Sequence, residues 1–261
     1  MIFYLSCTGN TRWASRQLAR ATGERLVFIP DAMETDCRYA LEQGEAIGFC
    51  FPVHGWRPPR IVRDFVKKLS FSSDASGHYA FALCTAGDNT GEAMSIFEKD
   101  LARIHLTLNA RCALVMPESY VGLPFMDVDT PDNERRKKSQ AESDLNGFCQ
   151  IVDERRTEDG PLYIGRWKRI DSRILGSAFL KLVSDKKFRV DSQACVKCGI
   201  CADVCPVKDI DGGLGKEPRW KHNGKCLTCF SCYHHCPHHA IAFGRQTRGK
   251  GQYFFERNVK L

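Results

Sequence analysis

Eight of the fourteen cysteines fall between Cys195 and Cys236. They form two copies of one pattern, CVKCGICADVCP from Cys195 and CLTCFSCYHHCP from Cys226, in which each cysteine lies 31 residues from its counterpart. Each copy reads C-x2-C-x2-C-x3-C-P. Three cysteines two residues apart can wrap one iron–sulfur cubane corner by corner, and the proline after the fourth stops any helix from running on. This is the spacing of a pair of [4Fe–4S] clusters, in which the fourth cysteine of each run ligates the other cluster. One set is then Cys195, Cys198, Cys201 and Cys236, and the other Cys226, Cys229, Cys232 and Cys205. Zinc is the alternative. It is satisfied by four ligands and has no need of three evenly spaced cysteines followed by Cys-Pro. His234, His235, His238 and His239 flank Cys236. With eight thiolates already in place, they are expected to be exposed or hydrogen-bonded residues that tune the clusters.

A second set of chemically capable residues opens the chain. Ser6-Cys7-Thr8-Gly9-Asn10-Thr11 follows the strand-like start MIFYL and precedes a helical pattern. It is neither a GxGxxG nor a Walker loop. Three hydroxyls, an asparagine and a glycine at a helix N-terminus can surround a phosphate, with amides and helix dipole supplying the positive end. A plain capping turn would need one hydroxyl. Cys7 at that helix end is either a thiol of lowered pKa or a small residue at a tolerant position. The other five stray cysteines, Cys37, Cys50, Cys84, Cys112 and Cys149, are expected to pack.

The elements that must carry these loops alternate. Strand patterns cover 2–6, 26–30, 46–51, 79–84 and 110–116. Helical patterns lie near 11–21, 60–69 and 91–105, and a long polar helix follows near 132–156. Short apolar strands between amphipathic helices predict an α/β unit with a parallel sheet covered on both faces. With the SCTGNT loop after its first strand, this unit resembles the flavodoxins. The resemblance implies a doubly wound five-stranded sheet of order 2-1-3-4-5 with FMN at the topological switch point. It implies that Ser6, Thr8, Gly9, Asn10 and Thr11 hold the FMN phosphate. The loops Pro52-Val53-His54-Gly55-Trp56 and Thr85-Ala86-Gly87-Asp88 would grip the ring. Trp56 is the stacking candidate, and Gly87 and Asp88 would offer backbone groups to the flavin edge. The loop from residue 84 to 91 carries no aromatic residue, so Tyr120 is expected to cover the other face, unless that face opens toward the clusters or a partner.

The cysteine repeat likewise resembles clostridial-type 2[4Fe–4S] ferredoxins, small α+β domains, across 191–245. The whole chain is similar to flavodoxin–ferredoxin fusion proteins. That resemblance implies an electron-transfer protein relaying electrons between two [4Fe–4S] clusters and FMN, to or from a partner oxidoreductase in anaerobic metabolism. The alternatives are a flavin-dependent reductase of a small acceptor (a quinone, porphyrinogen or metal chelate) and a redox sensor or maturation factor.

Composition bounds the reading. A 43% hydrophobic content is that of an ordinary globular chain. No run reaches the ~18 apolar residues of a membrane helix, and the absence of a signal pattern at the N-terminus points to the cytoplasm. In that compartment clustered cysteines read as metal ligands and not as disulfides. Three segments are expected: an FMN-binding domain over 1–160, a connector over 161–190 and a ferredoxin domain over 191–261. Counting Lys and Arg minus Asp and Glu, they carry 19 − 23 = −4, 8 − 2 = +6 and 11 − 6 = +5. The basic C-terminal half suits an acidic redox partner, and no nucleic-acid motif accompanies the charge. In the connector, Trp167, Ile170, Ile174, Leu175, Phe179, Leu182 and Val183 recur at helical spacing among seven basic residues. Such a helix can lie on a membrane. The expectation taken here is that its apolar face packs between the two domains and fixes their geometry.

Overall fold

The structure, a computed structural model, describes residues 1–182 and 184–257. Val183 and the side chain of Leu182, both counted on the connector's apolar face, lie outside the described residues. Five parallel strands form the central sheet: β1 (Ile2–Tyr4), β2 (Leu26–Phe28), β3 (Ile47–Pro52), β4 (Ala80–Ala86) and β5 (Ala110–Val115). Their order is 2-1-3-4-5, the order the resemblance to the flavodoxins implies. Every residue of β4 is buried, the mark of a strand covered on both faces. Register places Phe3 beside Phe49, and Phe49 beside Ala82.

Two apolar layers follow from that alternation. Phe3, Phe49 and Phe51 meet Val62 and Phe65 of α2 (Arg60–Lys68) and Phe97 and Leu101 of α3 (Ala93–Ala102). On the other face Ile2, Phe81 and Leu114 meet Leu18 of α1 (Asn10–Thr22) and Leu145 and Phe148 of α4 (Pro131–Asp153). Cys50, Cys84 and Cys112 are buried in these layers, and burial pushes the Cys50 and Cys84 thiols up to about 12. They pack, as expected. Helix α4 starts where Thr130 accepts the Asn133 amide at 3.4 Å and Pro131 takes the first helical position.

The C-terminal module is built from two antiparallel pairs. Strand β6 (Phe188–Val190) pairs with β9 (Ile241–Phe243), and β7 (Ile210–Gly213) with β8 (Lys216–Trp220). The module's sheet therefore begins at Phe188, ahead of the expected boundary at 191. The 31-residue repeat reaches the backbone. Left-handed φ values recur at Lys197 and Thr228 (58° and 50°), at Gly199 and Phe230 (83° and 59°) and at Lys208 and His239 (50° each).

The connector departs from expectation. It is helical over Lys168–Ile170, widens to a π turn over Asp171–Leu175 and continues as α5 (Gly176–Leu182). The face it packs is the small, polar one. Ser172 Oγ donates to the Trp56 carbonyl at 3.0 Å and accepts the Glu92 amide at 2.7 Å. Arg57 donates to the Ser172 carbonyl and to Ser177 Oγ. Gly176 lies so close to the Gly55 carbonyl that a side chain there would collide with it. Of the expected apolar stripe, Phe179 turns inward, while Trp167, Ile170, Ile174 and Leu175 are exposed.

A second unforeseen feature is the segment after the ferredoxin-like module. It returns to the loop between β1 and α1. Tyr253 is buried and donates to Asn10 Oδ1 at 2.7 Å, the Phe255 amide donates to the Thr8 carbonyl at 2.8 Å, and the Phe255 ring stacks on Trp13. Glu256 pairs with Arg12 and Arg16, and Arg257 with Glu134.

Candidate functional site

A cavity of about 270 Å³ opens at the C-terminal edge of the sheet, the place where open parallel sheets bind ligands. The loops after β1, β3, β4 and β5 bring their residues to it. Thirteen of the fourteen residues expected at the flavin line it: Ser6, Thr8, Asn10, Thr11, Pro52, Val53, His54, Gly55, Trp56, Thr85, Ala86, Gly87 and Asp88. Gly9 does not. Its φ of 97° turns the chain into α1, and a Cβ on it would come within 2.9 Å of the Phe255 Cβ. A Gly9→Ala chain should lose about 1–3 kcal/mol from the strained φ and the displaced tail. A lower urea midpoint with altered Trp13 fluorescence would report it.

The first loop is organised for an anion. No side chain caps α1 at Gly9, and its first turn holds no acidic residue, so its amide end is left positive. Ser6 Oγ accepts the Arg12 amide at 3.1 Å, and Thr11 Oγ1 meets Thr85 Oγ1 at 2.8 Å, tying the first loop to the third. Asn10 is already committed, with Nδ2 donating to the Pro117 carbonyl and Oδ1 accepting from Tyr253. Its amide shapes the loop. Arg12, the nearest basic residue, is paired with Glu256.

The wider part of the cavity is walled by rings. Trp56, Tyr120 and Phe179 line it, and Tyr120 packs edge-on against Phe179 and Phe230 with centroids 5.1 and 5.3 Å apart. Tyr120 thus joins the cavity to the core of the cysteine module. His54 is held neutral because burial lowers its pKa to about 4. The Gly87 carbonyl accepts from Lys137 Nζ at 2.7 Å, and the same ammonium pairs with Asp129.

Glu118 is a residue the sequence reading passed over. Its Oε1 accepts the Ser119 and Tyr120 amides, each at 2.8 Å. Its Oε2 lies against Gly87, where any side chain would collide with it. Burial raises its pKa, with the two amides and Lys137 pulling the other way. A half-buried carboxyl at a cavity wall can hold or release a proton there.

One of the two expected cysteine sets shares a space. Cys195, Cys198, Cys201 and Cys236 line one small space. Cys232 is pushed well up by burial and then by the neighbouring thiols of Cys229, Cys205 and Cys226. Neighbouring thiols raised in this way favour the neutral form, and an iron–sulfur core would supply the positive charge that holds them as thiolates. Backbone amides already point at three sulfurs: Asp209 at Cys205, Thr228 at Cys226 and Ala240 at Cys236, all at 3.3 Å. Asp209 and Ala240 are equivalent in the 31-residue repeat. Among the histidines, His234 is buried and bridges the Ser119 carbonyl and the Tyr253 amide, whereas His238 and His239 are exposed.

The two regions touch. Leu227, Thr228 and Cys229 line the large cavity together with the first loop. Cys7 and Cys229 line the same cavity, and the nearby Cys7 thiol together with burial raises the Cys229 thiol well above its ordinary value. Ser231 Oγ donates to the Cys7 carbonyl at 2.9 Å. Cys7, variable by expectation, is the contact between the loop and the second cysteine run.

Residues 187–237 match the family model of the 4Fe-4S dicluster domain, which marks the C-terminal module as a 4Fe–4S domain. Among solved structures, the rubredoxin oxygen:oxidoreductase of the anaerobe Desulfovibrio gigas is similar at 14% identity with a TM-score of 0.32. The likeness covers 58% of this chain and 36% of that one, so the chain spans about a third of that protein's length. No curated protein matches the chain.

Proposed function

We propose that the chain is an electron-transfer protein carrying two [4Fe–4S] clusters and one FMN, in the manner of the flavodoxin–ferredoxin fusions its sequence resembles. The observation that carries this reading is the shared wall. One cavity is lined both by the anion-ready loop of the α/β unit and by Thr228 and Cys229 of the cysteine module. When bound, each cluster supplies one-electron chemistry, and the flavin can change by one electron or two.

The residues divide the work. Cys205, Cys226, Cys229 and Cys232 would hold the inner cluster, and Cys195, Cys198, Cys201 and Cys236 the outer one. Ser6, Thr8, Thr11 and the α1 amides would hold the FMN phosphate. Trp56, Tyr120 and Phe179 would wall the ring and keep water from it, and the neutral His54 adds no charge. Glu118 Oε2 would give or take the proton that accompanies electron uptake. Val196 and Leu214, 57% and 88% exposed, flank the outer set with Lys197 and Lys216. An acidic redox partner fits that face.

Anaerobic reconstitution should yield about eight irons and one FMN per chain. Stopped-flow absorbance after rapid reduction of the clusters should then show the flavin bleaching on a turnover timescale. A flavin that stays oxidised beside reduced clusters would reject the relay.

A further inference from the structure

The connector carries an exposed face that no contact among the described residues explains. Nine large apolar side chains are exposed among the described residues, and five of them, Trp167, Ile170, Ile174, Leu175 and Leu180, fall within the fourteen residues 167–180. Scattered exposed apolar residues are ordinary, but a contiguous patch marks a contact surface. Trp167, Ile170 and Ile174 run along the side opposite Ser172, Gly176 and Phe179, which is the anchored side. The cations of the segment surround this line: Arg166, Lys168, Arg169, Arg173 and Lys181 against the single acid Asp171. Arg173 is paired with Glu92. Among the described residues no carboxylate lies within ion-pair distance of Arg166, Lys168 or Arg169.

We infer that this face docks the protein on an anionic phospholipid surface. A helix lying in the plane of a bilayer needs what this one has: a narrow apolar line, a tryptophan for the interfacial layer, and long cationic side chains on both flanks that reach the phosphates. A second copy of the chain would oppose like charges across the contact. A protein partner would have to bury Lys168 and Arg169 beside Ile170, and interface centres are depleted of lysine. No helix among the described residues is long and apolar enough to cross a membrane, so the attachment is peripheral and reversible. This inference is independent of which cofactor fills the cavity.

Co-sedimentation of the full chain with vesicles tests it. The parent should sediment with phosphatidylcholine vesicles containing one third phosphatidylglycerol. It should not sediment with phosphatidylcholine alone, and added salt should release it as the Debye length falls below about 10 Å. Ile174→Glu, on an exposed position, should keep its circular dichroism and iron content yet bind at least about tenfold more weakly. Arg166→Gln combined with Arg169→Gln should weaken binding to the anionic vesicles and make it less sensitive to salt. The inference is overturned if the parent stays in the supernatant with anionic vesicles at low salt, or if Ile174→Glu binds like the parent. It is equally overturned if the same substitution abolishes a concentration-dependent dimer in sedimentation velocity, which would make a second copy the occupant. Retention on immobilised polyglutamate without vesicle binding would assign the face to an acidic protein instead.

Discussion

Cys205→Ala is expected to remove the cluster beside the flavin cavity and to spare the outer one, although Cys205 belongs to the first cysteine run. Iron should fall from about eight to about four per chain. Electron exchange with the flavin should slow at least about tenfold, about 1.4 kcal/mol on the barrier. Cys236→Ala, the equivalent change in the second run, should lose the outer cluster and leave the flavin's near neighbour in place. Its flavin should still respond to a small chemical reductant while exchange with a protein donor is lost. The asymmetry follows from the fold. Cys205 lies among Cys226, Cys229 and Cys232, and Cys236 among Cys195, Cys198 and Cys201.

Anaerobic electron paramagnetic resonance with iron analysis checks the pair. If each run bound its own cluster, the two variants would exchange phenotypes. The module has few large apolar side chains beyond Phe188, Phe230, Tyr233, Ile241 and Phe243, so losing a ligand also removes part of what holds it folded. Cys205→Ser keeps a ligand atom and guards against that outcome. It should retain iron in the inner site with an altered potential.

How much of this was readable in advance depends on the kind of contact. The parallel sheet was legible because strands such as β4 are apolar throughout and are separated by helical periodicity, whereas the order of its strands came with the resemblance to the flavodoxins. The two cysteine runs were legible because ligand spacing is a local property, and the equal offset extends to the left-handed pairs Lys197 and Thr228 and Gly199 and Phe230. The connector was half legible. Periodicity marks its apolar line but says nothing about which side meets protein. That choice is made by Ser172 and Gly176, whose types follow no pattern and whose partners, Trp56, Glu92 and Gly55, are more than eighty residues away in most cases. The tail was silent for the same reason. Tyr253 and Phe255 acquire meaning only when the fold lays them on Asn10, Thr8 and Trp13. Cys7 is a further case, since its neighbour Cys229 lies at the other end of the sequence.

Glu118→Gln should raise the midpoint potential of the bound flavin, and by an amount that depends on pH. The carboxyl is anchored through Oε1 by two amides and leaves Oε2 at the cavity wall beside Gly87. Burial lifts its pKa above the ordinary carboxylate value. Above that raised pKa the parent holds a negative charge facing the cavity and the glutamine variant holds none. A unit charge a few ångströms behind the wall, at an effective dielectric near 20, is worth about 2 kcal/mol, or roughly 40 mV for a two-electron couple. Electron uptake is disfavoured beside that charge, so the variant has the higher potential at every pH above that raised pKa. As pH falls through the raised pKa the parent carboxyl takes up a proton and becomes nearly isosteric with the amide, and the two potentials should converge. Spectroelectrochemical titration of both proteins across pH reads the difference directly. A purely structural role would shift the potential equally at every pH, and equal potentials throughout would place the Glu118 carboxyl out of reach of the flavin. The pH-dependent gap is the signature of a carboxyl that titrates within the site, because Lys137 and Asp129, which brace the same wall, already neutralise one another.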